Sequence, residues 1–174
     1  MEENLTKEEI DRKVSSYINS VKNFYAQVKT WLQDTPFKTL EEEFELNEKS
    51  SGKYKIPVLF ILDPAGEKIT KLEPAGAWII GGAKGRIDMI GKIDRISFLD
   101  LDEGGPVFMS WVNVVSPAGN IQLKKKQKSF YKGVDVPGWY YIEERRTGRA
   151  LRIDQDLFID FLEGITDYEW EYAS

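Results

Sequence analysis

The sequence predicts a single α+β domain: a long N-terminal amphipathic helix, an antiparallel meander sheet of about seven to nine strands, and a short C-terminal helix. Two observations predict this class. Apolar residues recur at helical spacing in the first part of the chain. Over residues 38–153 the period changes to alternation, with turn residues about every 8–12 positions, which is typical of antiparallel strands. The 174 residues are enough for one hydrophobic core.

The first element is a helix predicted over residues 6–34. Thr6 and Glu9 have the spacing of a capping box, and apolar residues then follow every three or four positions as far as Trp31. Thr35-Pro36 is a signal that ends a helix. We expect the apolar face to pack on the chain's own sheet. A homodimer through this helix is the alternative, because the same spacing suits a coiled coil.

Turn signals divide the β-rich segment, residues 38–153, into strands. Proline, glycine, aspartate and asparagine cluster at 63–66, 103–105 and 116–120, and these residue types favour tight turns. One strand contains Pro57, which cannot donate a backbone hydrogen bond. We therefore expect that strand to lie at a sheet edge or to carry a bulge there.

A second helix is predicted over residues 155–164, because aspartates precede a short apolar stripe and Gly164 can end it. An acidic and aromatic tail, residues 165–174, follows. Residues 154–174 contain seven acids and no base.

The tail alternates aromatic and acidic residues, and we predict that it binds a partner. In an extended segment, alternation places Tyr168, Trp170 and Tyr172 on one side, and Glu169 and Glu171 on the other. Tyr and Trp often anchor interfaces. The alternative is intramolecular packing of the rings on the chain's own sheet.

Composition removes several classes of chemistry. The chain has no cysteine and no histidine, which excludes disulfides, Cys/His zinc sites and His-dependent triads. No motif identifies a catalytic residue, a metal site or a cofactor. The net charge of −5 does not favour nucleic acid or an anionic membrane over the whole surface. With no secretory signal and no membrane span expected, we expect a cytoplasmic protein.

Two clusters of cations are candidates for binding anions or nucleic acid. Lys84 and Arg86 flank a glycine in a flexible turn that could hold an anion on its amides; the alternative is a plain β-turn with no ligand. A second set forms a basic run followed by aromatic rings, which suits phosphates and stacked bases; its members are Lys124, Lys125, Lys126 and Lys128. The alternative for this run is an edge strand whose lysines prevent sheet-to-sheet pairing.

Three classes of function stay open. The first is a non-enzymatic binding protein acting through its surface, most concretely a bacterial immunity- or antitoxin-like inhibitor of a basic protein partner. The chain is small and acidic and lacks a recognisable catalytic set. The second is a nucleic-acid-associated protein using residues 124–132. The third is a metal-dependent or acid/base enzyme without His or Cys, for which the candidate carboxylates are Asp88, Asp94, Asp100 and Asp102.

Overall fold

The computed structural model describes residues 4–144 and 146–168, and within them the chain forms two helices and nine strands. The α+β class and the order of elements are confirmed. The bounds are α1 Lys7–Trp31, β1 Lys38–Glu48, β2 Gly52–Leu62, β3 Lys68–Gly76, β4 Gly85–Gly91, β5 Arg95–Leu101, β6 Val107–Val115, β7 Ile121–Ser129, β8 Gly138–Glu144, β9 Arg149–Arg152 and α2 Gln155–Ile165.

Helix α1 begins at the predicted capping box and ends three residues earlier than predicted. The Thr6 amide donates to Glu9 Oε2 at 2.7 Å, and the Glu9 amide donates to Thr6 Oγ1 at 3.2 Å. At the other end, the Thr35 hydroxyl donates to the Leu32 carbonyl at 2.7 Å. This bond holds residues 32–35 in a turn in place of a last helical turn.

Seven strands form one antiparallel sheet in the order β1-β2-β3-β4-β5-β8-β9, and β6 and β7 pair only with each other. The predicted continuous meander is therefore wrong at one place: after β5 the chain leaves the sheet, forms a separate hairpin, and returns as β8. We call residues 107–129 the arm, and the seven-stranded sheet with its two helices the body.

The core of the body lies between the helices and one face of the sheet. The Phe24 side chain, 1% exposed, lies at its centre, with ring centroids 5.9 Å from Phe98 and 5.4 Å from Trp139. The Tyr25 hydroxyl donates to the Leu72 carbonyl at 2.8 Å. The expected packing of α1 on the chain's own sheet is thus confirmed, whereas a homodimer through α1 stays an untested prediction.

Pro57 corrects a prediction about β2. This strand is interior, between β1 and β3, so the expected edge position is wrong. Its register shift lies between Ile61 and Leu62, not at Pro57. The proline is tolerated because β2 pairs with β3 only from Leu59 onward. At Pro57 the strand pairs with β1 alone, opposite Glu43.

A second, smaller core supports the base of the arm. Its buried residues are Ala83, Leu101, Val134, Tyr140 and Ala150. Backbone hydrogen bonds close the arm at its base, since the Phe130 amide donates to the Pro106 carbonyl at 2.9 Å. The Lys132 amide then donates to the Gly148 carbonyl at 2.7 Å, which ties the returning chain to the start of β9.

Candidate binding surfaces

The arm is a regular two-stranded ribbon. β6 and β7 pair without a register shift, from Val107 opposite Ser129 at the base to Val115 opposite Ile121 near the tip. The turn at 116–120 closes with the Ser116 amide donating to the Asn120 carbonyl at 2.9 Å. Gly119 there has φ of +83°, a conformation that favours glycine.

The two faces of the arm differ in chemistry. Residues directly opposite each other in an antiparallel pair share a face. One face carries six apolar side chains and one lysine, at Val107, Met109, Trp111, Val115, Ile121, Leu123 and Lys125. The opposite face combines a second apolar set with lysines, at Phe108, Val112, Val114, Lys124, Lys126 and Lys128.

Both faces of the arm are exposed. Trp111 is 62% and Ile121 is 69% exposed, and every residue of β7 is exposed. An isolated two-stranded hairpin is only marginally stable in water, and a contiguous exposed apolar patch marks an interaction site. Among the surfaces of the described residues, the arm is therefore the strongest candidate for binding a partner.

The cations predicted to bind anions lie in two different environments. Lys84 is 2.9 Å from Asp102 and 3.7 Å from Asp100, and Arg86 donates to both carboxylate oxygens of Asp88, at 2.7 and 2.8 Å. Burial disfavours the charge on Lys84, but the hydrogen bond to Asp102 and the charges of both carboxylates outweigh it and raise its pKa. The hydrogen bonds that Arg86 donates to the Asp88 carboxylate raise the pKa of Arg86.

These two cations are thus neutralised by the chain itself, which argues against an anion site there, although the prediction is untested. The four predicted lysines of the basic run, in contrast, lie on β7 in the arm. Among the described residues none of the four takes part in an ion pair.

A groove of about 500 Å³ lies between α1 and the ends of β8 and β9. Its lining mixes rings and polar groups: Trp31, Trp139, Asn23, Gln27, Arg152 and Asp100 are among them. The Asp100 side chain is buried and accepts a hydrogen bond from the Ser20 hydroxyl at 2.7 Å. Burial raises the pKa of Asp100, although this hydrogen bond and Lys84 partly oppose the rise.

The candidate catalytic carboxylates are not brought together in this groove. Asp88 accepts from Arg86 and from the Ser97 hydroxyl at 2.8 Å. Asp94 accepts from the Arg95 amide at 2.7 Å, in the turn between β4 and β5. Within the described part of the chain, no group of three or more His, Cys, Asp or Glu residues could hold a metal ion.

The predicted partner-binding tail is described only as far as Tyr168. Its ring packs edge-on against Phe37, with centroids 5.1 Å apart, beside the main core. This contact is the intramolecular alternative for that ring. The other four predicted residues, Glu169, Trp170, Glu171 and Tyr172, lie outside the described residues.

No protein-family model, curated protein or solved structure matches this chain. The candidate function therefore rests on the surfaces of the described residues. In the described residues, neither helix is long and apolar enough to cross a membrane.

Strand-pattern reasoning identified the lysines of the arm but missed that residues 107–129 leave the main sheet. In 107–115 apolar residues occupy alternate and intervening positions alike, and in 121–129 lysines do so, so neither strand has a single apolar face. The interior strand β2 also carries consecutive apolar residues over 56–62. The pattern alone therefore does not separate a strand of the arm from a strand of the body.

Proposed function

We propose that this protein is a non-enzymatic binding protein and that the arm is the element that binds its protein partner. The observation that supports this is an uncovered ribbon with exposed apolar side chains on both faces. Among the described residues its two strands pair only with each other, which leaves one edge of each strand for a partner. Such an edge offers backbone hydrogen bonds to a strand of a partner.

The charge of the arm sets the chemistry of the partner. β7 carries four lysines, and residues 107–129 contain no acid. A complementary surface presents an exposed strand edge with carboxylates and apolar side chains. A bacterial immunity- or antitoxin-like inhibitor acting in the cytoplasm remains one specific form of this proposal. The arm, however, favours an acidic partner surface, whereas the tail residues favoured a basic one.

Nucleic acid is the second candidate. Lys124, Lys126 and Lys128 share one face of a two-stranded ribbon, and the major groove of DNA admits such a ribbon. Two features make this candidate weaker. The outer part of the arm carries Val114, Val115 and other apolar residues in place of cations, and the rest of the chain is acidic.

Site-specific crosslinking in cells tests the proposal. A photoreactive residue replaces Trp111 on the arm, and the control chain carries it in place of Asp11, an exposed residue on α1. We expect a protein adduct from position 111 and none from position 11. A nucleic-acid adduct from position 111 would favour the second candidate. Failure of position 111 to form any protein adduct would overturn the proposed function.

A further inference from the structure

We infer that the partner of the arm is a second copy of this chain, and that β7 of one copy pairs antiparallel with the edge strand β1 of the other. This inference rests on the proposed function of the arm. Within the described part of the chain, both strands pair along one edge only, since β1 is the first strand of the seven-stranded sheet and β7 belongs to a two-stranded sheet.

The two strands have complementary sequences. β1 contains three consecutive glutamates, residues 41–43, and β7 contains three consecutive lysines, residues 124–126. Placing Glu42 opposite Lys125 in an antiparallel pair matches opposite charges on both faces of the new sheet. Cross-strand pairs of opposite charge stabilise a sheet, and like charges directly opposite destabilise it.

The same register also aligns the apolar residues of the two strands. Beyond the charged triplets, Phe44 falls opposite Leu123, and Leu46 falls opposite Ile121. A parallel arrangement with the same charge match places these two β1 residues opposite Gln127 and Ser129 instead. A shift of one residue moves every side chain to the other face. The parallel arrangement would add one charge pair, Glu45 with Lys128, so charge fixes the register and the apolar contacts select the antiparallel orientation.

This pairing extends the apolar face of the arm onto β1. Leu123 and Ile121 lie on the same face as Trp111, and their proposed neighbours Phe44 and Leu46 are half-buried in the body. Leu40, on the same side of β1 as Phe44, is 42% exposed. This face of the arm, which carries the exposed Trp111 and Ile121, then gains an apolar neighbour from the second copy.

The glutamates of β1 are paired within the chain, but only weakly. Glu41 is 2.7 Å from Lys29, and Glu42 is 2.8 Å from Lys68. All of these side chains are solvent-exposed, and exposed ion pairs contribute little to stability because water screens them. The lysines of the arm can therefore share these carboxylates without a large loss of stability.

Two arrangements satisfy the pairing. If each copy places its arm on the other's β1, the result is a closed dimer with two equal contacts. If the exchange is one-way, each copy binds the next and the assembly grows with concentration. Either arrangement is measured directly as a rise in mass.

Sedimentation velocity of the full chain with charge-reversed variants tests the inference. One variant carries Lys124→Glu, Lys125→Glu and Lys126→Glu, and the other carries Glu41→Lys, Glu42→Lys and Glu43→Lys. We expect the unaltered chain to associate, more weakly as salt is raised, and each variant alone to be monomeric. A mixture of the two variants should associate, because the acidic arm of one meets the basic edge of the other.

A matched control reverses three exposed acids away from β1, with Asp11→Lys, Glu67→Lys and Asp160→Lys, and should leave association unchanged. A monomeric unaltered chain, or a mixture of variants that stays monomeric, would overturn the inference. If the inference fails but position 111 still forms an adduct with a different protein, the proposed function stands. If position 111 forms no adduct, both the proposed function and this inference are overturned.

Discussion

The body and the arm use the same residue types in opposite ways. In the body, apolar side chains point at the helices, and Phe24 and Phe98 are almost fully buried. In the arm, Trp111 and its apolar neighbours are exposed on both faces of the ribbon, although the Phe130 ring packs edge-on against Phe108 near the base, with centroids 5.2 Å apart. The difference teaches that buried apolar contacts in the body stabilise the fold, whereas the apolar side chains of the arm are exposed and available to a partner.

The largest expected effect comes from replacing one aromatic residue by alanine in each region. Phe24→Ala should lower the free energy of unfolding by ~3–5 kcal/mol, because a cavity replaces a ring that contacts Phe98 and Trp139. Trp111→Ala removes a larger ring but should change stability by ~0.5 kcal/mol or less in dilute protein. Chemical denaturation of both variants measures the two effects. An equal loss of unfolding free energy in the two variants would show that the Trp111 ring is buried within the single chain.

A smaller effect is expected from the buried carboxylate of the body. Burial raises the pKa of Asp100 above its ordinary value of 3.8, so the folded chain binds this proton more tightly than the unfolded chain. The stability from this group is present below pH 3.8 and is lost as pH rises through the higher folded value. Asp100→Asn removes that dependence.

Thermal melts of Asp100→Asn and the unaltered chain as a function of pH check this prediction. The variant should gain stability relative to the unaltered chain as pH rises above 3.8. Gln27→Ala, at a side chain without a titratable group that lines the same groove, is the control, and its difference from the unaltered chain should not change with pH. A difference for Asp100→Asn that stays constant with pH would contradict the raised pKa.

The smallest effect concerns a buried hydroxyl of the sheet. Thr70 is 3% exposed, and among the described residues its Oγ1 has no hydrogen-bond partner. Thr70→Val keeps the branched shape and removes the unpaired polar atom, so it should raise the free energy of unfolding by ~1 kcal/mol. Thr39→Val, at a half-buried site of β1, should change it less. A loss of stability from Thr70→Val would mean that the hydroxyl is bound in the fold.

Much of the fold was predictable because its signals are local. The capping box at Thr6 and the turns at 63–66 and 116–120 are read from neighbouring residues, and the strands between the turns follow from them. Strand neighbours are not local properties. The residues near 107 do not indicate whether β6 pairs with β5 or leaves the sheet. The residues near Pro57 do not indicate where β3 begins to pair with β2.

The candidate surfaces were predictable only in part, for the same reason. The basic run 124–128 was identified from composition, but its position on an uncovered arm depends on the absence of a packing neighbour. Lys84, in the turn before β4, pairs with Asp100 in β5 and with Asp102 just after β5. This contact depends on how the two strands pair, which local sequence does not show. The groove at Asp100 likewise needs the contact with Ser20, which is 80 residues away in sequence.

Hydrogen exchange of the backbone amides tests the central contrast between body and arm most directly. The measurement uses the chain with Glu41→Lys, Glu42→Lys and Glu43→Lys, so that a second copy does not cover the arm. The amides of β6 and β7 should be protected by about 10-fold or less, while those of β4 exchange only through global unfolding. Arm amides as strongly protected as those of β4 would contradict the account.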